Sequence, residues 1–480
     1  MDDFRNDESL EYVSELSTHQ KPHNDLSRRE VLRLMGAAGA GALGMAAFGS
    51  GTSAFAAPSK TLRSAAAKYG SVSFWDMEWG PTAYSKAGAQ LAAQFNASHP
   101  NGPKVTYTPI SWSNWYEKFA TAITGGTAPD VSSGAAYQPF QFFPKGAIEP
   151  VDYVVEAMKK SGILSDFYPS TLEWMKYGGH YVALPFEIDL RVFYYRKSML
   201  ERAGVPVPKT WDDILTAGRA LKKQGIFGFG FSGTTSDSGG WQIVLCMILN
   251  NGGGLFAPDG TLDCVTDANV QTVEFLQQLA REKIIDPAAP GYASTEIARI
   301  MGSGKLAMTW TNSNWPWAEL PPHVTADTDV LPEPLVSASG KKGTLHWVNP
   351  VMVYKEHSTA FASDGVWLEW YLEHLGVYWT RKYLSAIPVT KSIANLPSVK
   401  SNRFVSIPTS KWLPVAKTTA TFYPHIVPAL NTIEGAPPLY NLAEAIVSSK
   451  SSAKQLLATL QSGLASAISS HNLASSPLNK

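Results

Sequence analysis

Cysteine is scarce in this chain. Two residues among 480, Cys246 and Cys264, allow one bridge at most and exclude a disulfide-stapled scaffold. Cys246 falls in the apolar run WQIVLCMIL, which reads as a buried helix, and Cys264 falls in TLDCVTD, which reads as a short strand. Buried free thiols are the commoner outcome in such surroundings. No C-x-x-C or H-E-x-x-H spacing occurs, so neither a zinc knuckle nor a metalloprotease helix is encoded. Net charge is also missing: 40 Lys and Arg balance 40 Asp and Glu, and no basic stripe forms. A nucleic-acid partner is therefore not expected. Phosphate cradles are absent too. Gly304-Lys305 has Arg299 where the first glycine is required and Leu306 where Ser or Thr is required. Gly228-x-Gly230-x-x-Gly233 fits the dinucleotide spacing, but its glycines lie inside the strand-like run from Ile226 to Ser232, with no helix opening directly after them. No cofactor is expected, and no internal repeat is visible.

Aromatics are plentiful. Phe, Trp and Tyr make up 11% of the chain, with 15 tryptophans, against a hydrophobic fraction of 44%. Such length and composition suit a soluble globular protein of about two to three domains. Tryptophan can fill a core, and it can also stack on flat apolar ligand faces. The second use is favoured where Trp neighbours loops rich in Asp, Asn and Gly.

The first 57 residues read as an address. Ser27-Arg28-Arg29-Glu30 precedes a weakly hydrophobic Gly- and Ala-rich run, Leu34 to Phe48, and Ala54-Phe55-Ala56 supplies an A-x-A cleavage site. Paired arginines before such a run resemble a twin-arginine export signal. The run from Leu34 to Ala57 is long enough to span a bilayer, but its glycines and alanines make a poor span. The expectation is a mature chain beginning near Ala57 outside the cytoplasm, in the periplasm or an equivalent compartment.

From Ser71 onward, strand-like and helical runs alternate, which argues for parallel sheet covered by helices. In such sheets ligands sit at the carboxyl ends of strands. Trp75, Asp76, Glu78 and Trp79 follow the first strand in this way, and Tyr137 and Gln138 follow the third. The stretch from Trp174 to Gly225 organises the rest. An aromatic turn leads into an apolar run that Pro185 ends, and a short acidic segment then precedes a second extended run, Val192 to Arg196. The segment from Pro185 to Arg191 reads as a hinge. Residues two apart in an extended chain share a face, so Glu187 and Asp189 can both point into a cleft. Arg191 can join them or pair with Glu187. Further on, Asn312, Asn314 and Trp315 occupy a polar and aromatic loop after the strand from Leu306 to Trp310. Trp347 lies in an extended run from Thr344 to Tyr354, and Trp241 opens the buried helix.

The order of motifs is specific. Phe95–Pro100 (FNASHP) and Gly125–Val131 (GGTAPDV) come first. Trp174, Gly178-Gly179, Tyr181 and Pro185 follow, then Phe193–Asp213 (FYYRKSMLERAGVPVPKTWDD), Gly302–Met308 (GSGKLAM) with the later Trp315, and Ala386–Ser392 (AIPVTKS). Together these resemble extracellular solute-binding protein family 1, the maltose-binding type that serves ABC importers. The resemblance runs from about Val72 to Tyr440. It implies an α/β, two-lobed periplasmic-binding-protein fold of type II, crossed about three times at the hinge. The crossings are expected near Pro185 to Asp189, Trp347 to Val351 and Ile387 to Thr390. One lobe is then 68–186 plus 348–386, and the other is 187–347 plus 387–480, with the C-terminal helices on the second lobe. By the same resemblance Asp189 is the hinge acid that accepts sugar hydroxyls, and Trp315 stacks on a ring. Tyr137 takes a polar position that is often acidic, and Phe422 and Tyr423 supply a C-terminal aromatic. Trp241 has no firm counterpart.

A sugar offers hydroxyl edges and apolar faces. Carboxylates, arginine and amides suit the edges, and indole rings suit the faces. The expected function is a non-enzymatic binding protein that captures a disaccharide or oligosaccharide and passes it to membrane permease subunits, acting as a monomer. Two alternatives stand beside it. One is a non-sugar solute such as a polyol, glycerol phosphate or peptide. The other is a secreted glycoside hydrolase using Glu187 and Asp189, which would need its two carboxylates at a set separation.

Overall fold

A computed structural model describes residues 70–355, 361–421 and 428–470. The export-signal reading of residues 1–57, and the site residues Phe422 and Tyr423, lie outside the described residues. The first unit alternates strand and helix: β1 (Val72–Met77), α1 (Thr82–Ser98), β2 (Val105–Ile110), α2 (Trp115–Thr124), β3 (Val131–Ser133) and the short α3 (Gln138–Phe142). In α1 the buried residues Tyr84, Ala87, Gly88, Leu91, Ala92 and Phe95 recur at three- and four-residue steps. That stripe packs on one face of the sheet. A Cβ on Gly88 would come within 2.5 Å of the Tyr107 ring, so the helix lies that close only because glycine stands there.

β4 (Leu184–Arg196) is the longest strand, thirteen residues, every one buried. The sequence suggests that Pro185 ends the apolar run, and the structure corrects this. Pro185 is instead the second residue of a continuous strand. It faces Pro350 across a register shift at Asn349/Pro350, so two residues without an N–H meet where the ladder is already interrupted.

After β4, helix α4 (Trp211–Lys222) opens with a capping box in which Thr210 and Asp213 exchange hydrogen bonds. That is what the T-W-D-D motif encodes. The chain continues through β5 (Phe227–Gly230), α5 (Gly239–Asn250), β6 (Leu306–Asn312), β7 (Thr328–Val330), β8 (Thr344–Tyr354), α6 (Phe361–His374) and β9 (Ile387–Pro388). It closes with α7 (Ala429–Gly435), α8 (Pro437–Ser448) and α9 (Ala453–Ser470).

The strands form one path, β2-β1-β3-β8-β4-β6-β5, with β7 and β9 also paired to β4. Pairing within each end (β1 with β2 and β3, β5 with β6) is parallel, and pairing through the middle is antiparallel. The two ends are two α/β lobes. β4 serves both: residues 184–190 pair with β8, and residues 191–195 pair with β6. β8 and β9 run beside β4 at the same level, so three strands lie together between the lobes.

α8 and α9 pack on the second lobe against α5 and the helix Asp267–Arg281, whereas α7 also reaches α2 and α3 of the first. Cys246 and Cys264 are both buried and free, and the TLDCVTD run makes only an isolated bridge, Phe256 to Leu262. Among the described residues no helix is long and apolar enough to cross a membrane.

Candidate ligand-binding site

Register builds the site. On β4, Glu187, Asp189 and Arg191 alternate onto one face. Opposite them stand Asn349 (facing Glu187), Trp347 (facing Asp189) and, from β6, Asn312 (facing Arg191). Directly opposed residues share a face, so three strands deliver six side chains to one place.

Those side chains form a closed network. Arg191 Nη2 donates to Asp189 Oδ2 at 2.9 Å, and Asn312 Nδ2 donates to Asp189 Oδ1 at 3.1 Å. Arg191 Nη1 donates to the side-chain oxygen Oδ1 of Asn312, and Asn349 Nδ2 donates to Glu187 Oε1. Arg191 therefore pairs with Asp189 rather than with Glu187. Its guanidinium lies 5.3 Å from the centroid of Trp347. The Trp347 indole donates to Glu434 Oε1 at 2.9 Å, and Thr419 donates to the same oxygen at 2.5 Å. Trp241 meets Trp347 edge-on at 6.1 Å and Tyr440 at 6.2 Å.

The electrostatics are set by burial. Glu187 is held well above the carboxylate range by desolvation and then by the Asp189 charge beside it. Asp189 is raised by desolvation, against the pull of Arg191 and Asn312. Glu434 is pushed up to about 7 by desolvation, which outweighs the hydrogen bonds from Thr419 and Trp347. One guanidinium thus faces three carboxyl groups. Two polar atoms at the centre, Glu187 Oε2 and Arg191 Nε, have no hydrogen-bond partner among the described residues. A small cavity runs from Arg191 into the second lobe and is lined by Ser232, Gln242, Ser294, Thr309 and Trp315, among others. The cavity has room for a water molecule and not for a sugar ring. Asp189, Arg191 and Trp347 are each at least nine-tenths buried, so a ligand reaches them only when the lobes part.

The other anticipated residues are dispersed. Trp79 stands on the first-lobe side, 4.8 Å from Trp112 and 5.7 Å from Phe186 of β4. Glu78 is exposed nearby, and its carbonyl oxygen accepts from the Trp112 indole at 2.9 Å. Tyr137 is fully buried, edge-on to Trp174 at 6.5 Å, and Trp174 lies at the same distance from His346. Trp315 leans on Tyr194 at 6.0 Å.

Four side chains hold the fold instead. Trp75 packs on Phe119 at 5.6 Å beneath Lys118. Asp76 is turned into the first lobe, where the Tyr84 hydroxyl donates to it at 3.0 Å. Gln138 Nε2 donates to the Tyr354 hydroxyl at 2.9 Å. Asn314 adopts φ of 63° and donates to the Leu384 carbonyl at 2.8 Å, pinning a distant segment. Asn349, Thr419 and Glu434 complete the network and carry no local signal in the sequence. Asn349 is found only once the β4–β8 register is known.

Residues 79–371 match the family model described as bacterial extracellular solute-binding protein. The chain belongs to that family. In solved structures it is similar to a sugar transporter from Arthrobacter chlorophenolicus A6 with bound laminaribiose. The two are 34% identical, the match covers 83% of this chain and 99% of the other, and the TM-score is 0.78. The maltose-bound MalE3 of T. maritima shares the fold at 18% identity, covering 82% of this chain and 99% of that one, with a TM-score of 0.70. A putative binding protein of Brucella abortus (strain 2308) is 25% identical over 226 residues, 46% of this chain and 53% of that protein. The chain thus spans about half the length of such curated relatives.

Proposed function

We propose that this solute-binding protein captures a neutral disaccharide or oligosaccharide outside the cytoplasm and delivers it to the permease of an ABC importer. The observation that carries the reading is the Asp189–Arg191–Asn312–Trp347 network on the strands shared by both lobes. It combines hydroxyl-matching groups with an indole and lies beside two unpartnered polar atoms. The likeness to a laminaribiose-bound transporter over almost all of that chain supports the same class of ligand.

The lobes are 68–186 with 348–386 and 187–347 with 387–480, closing about β4, β8 and β9. Residues 1–57 act as a twin-arginine export signal, and the exported chain works as a monomer. It releases its ligand intact. Asp189 is tied to Arg191 and Asn312, an arrangement that suits an acceptor of ligand hydroxyls rather than a free nucleophile or general acid.

Calorimetry and thermal shift with laminaribiose, maltose and a polyol test the reading. Binding by a neutral sugar should raise the melting temperature by mass action. A shift with charged solutes and with no neutral sugar sinks it, and reducing-sugar release from laminaribiose sinks the non-catalytic part.

A further inference from the structure

The turn after β1 is held from below by a buried acid. Asp76 has no exposed surface. Its Oδ1 accepts from Ser133 Oγ at 2.6 Å, and its carboxylate also accepts from the hydroxyls of Tyr84 at 3.0 Å and Tyr107 at 3.1 Å. A hydroxyl carries one proton. With that proton committed to Asp76, Ser133 Oγ can only accept on its other side. Two donors converge there: the Met77 backbone N–H at 2.9 Å and the Trp79 indole N–H at 3.0 Å. Met77 and Trp79 are the two ends of a tight turn closed by Trp79 N to Met77 O at 3.0 Å. The Trp79 ring is thereby set against Phe186, the β4 residue next to Glu187.

An acid this deep is costly unless hydrogen bonds satisfy it, and an apolar residue would fill the same space without that cost. What the acid adds is direction. It fixes which way the Ser133 hydroxyl points and so where the indole of a half-exposed tryptophan is held.

We propose that Asp76 is a positioning residue that, through Ser133, fixes Trp79 as an aromatic wall of the ligand site. The ligand part of this inference rests on the sugar-binding reading above. The positioning part does not.

Two measurements on the same variants separate them. The first is the Trp79 indole N–H resonance in a nitrogen-15 NMR spectrum, identified by its loss in Trp79→Phe. Ser133→Ala and Asp76→Asn should each move it, and Ser133→Thr, which keeps the hydroxyl, should leave it near its original place. The second is calorimetry with laminaribiose. Ser133→Ala should weaken binding about tenfold, the scale of one buried hydrogen bond lost. It should cost less than about twofold when Trp79→Phe is already present, because the donor is then gone. An indole resonance indifferent to both Ser133→Ala and Asp76→Asn overturns the positioning. An equal loss of affinity with and without Trp79→Phe overturns the claim that Ser133 acts through Trp79. If the wild type gives no heat with laminaribiose or any other neutral sugar, the ligand reading falls, and the indole resonance still decides the positioning.

Discussion

Glu434 offers the sharpest test of the site's electrostatics. Its carboxyl is 6% exposed, and burial carries it from 4.5 in the unfolded chain to about 7 in the folded one. Between those values the folded state holds a proton that the unfolded state has released. By linkage, stability is then lost as pH rises. The contribution is fully present below pH 4.5, declines through the interval and is gone above about 7. A rise of that size corresponds to roughly 3 kcal/mol at 1.36 kcal/mol per unit. Glu434→Gln removes the titration and keeps a carbonyl oxygen for the Trp347 indole and the Thr419 hydroxyl. Urea unfolding at pH 5 and pH 7.5 should therefore show a smaller pH dependence in the variant, by about 2–3 kcal/mol. At pH 7.5 the variant should be the more stable of the two. A pH dependence matching the wild type to within about 0.5 kcal/mol would refute the claim that this carboxyl is buried and uncompensated.

Further outcomes follow from the same geometry. Arg191→Met leaves Asp189 with Asn312 as its remaining donor, so it should cost about 3–5 kcal/mol in urea unfolding; a loss under 1 kcal/mol would argue against a desolvated pair. Trp347→Phe removes the indole donor to Glu434 while keeping a ring near Arg191, and should weaken laminaribiose binding at least tenfold by calorimetry while leaving the fold intact by circular dichroism. Asn314→Gly preserves the positive φ but drops the bond to Leu384, so it should lower stability by about 1–2 kcal/mol with sugar affinity nearly unchanged. Burial pushes both thiols, Cys246 and Cys264, up to about 12. The native protein should resist a thiol reagent at pH 8, and two thiols should react after denaturation; prompt labelling of the native chain would contradict their burial.

Much of the framework is legible along the chain. The T-W-D-D cap, the α1 stripe and the strands from Leu306 and Thr344 are local patterns, and local patterns are what sequence periodicity reports. The alternation of Glu187, Asp189 and Arg191 is local too. What escaped is pairing. Asn349 reaches the site because β8 runs antiparallel to β4 in one register, which no short-range rule supplies. Glu434 meets Trp347 across 87 residues. Pro185 reads as a terminator because proline lacks an N–H, but β4 carries an extra residue, Phe186, where the register shifts beside it, so the ladder is already interrupted there. Asp76 is a failure of a different kind. It has the same parity as Val72 and Phe74, both fully buried, so strand alternation already turns it away from the loop end where its neighbours suggest a ligand contact.

The contact between α7 and the first lobe bears on how such a protein lets go. Gln141 Nε2 donates to Thr432 at 2.7 Å and to the Tyr116 hydroxyl at 3.0 Å, while Asn431 donates back to Gln141 at 2.5 Å. Every member of this seam is uncharged. Amides and hydroxyls exchange partners with water at small net gain, about 1 kcal/mol per bond. A seam of leucine or phenylalanine over the same area would fasten the two halves whether or not anything lay between them, and a seam of ion pairs would vary with the salt outside the cell. The amide-and-hydroxyl seam is close to neutral in both respects. It sets a defined register between α7 and the first lobe while adding little net free energy of its own.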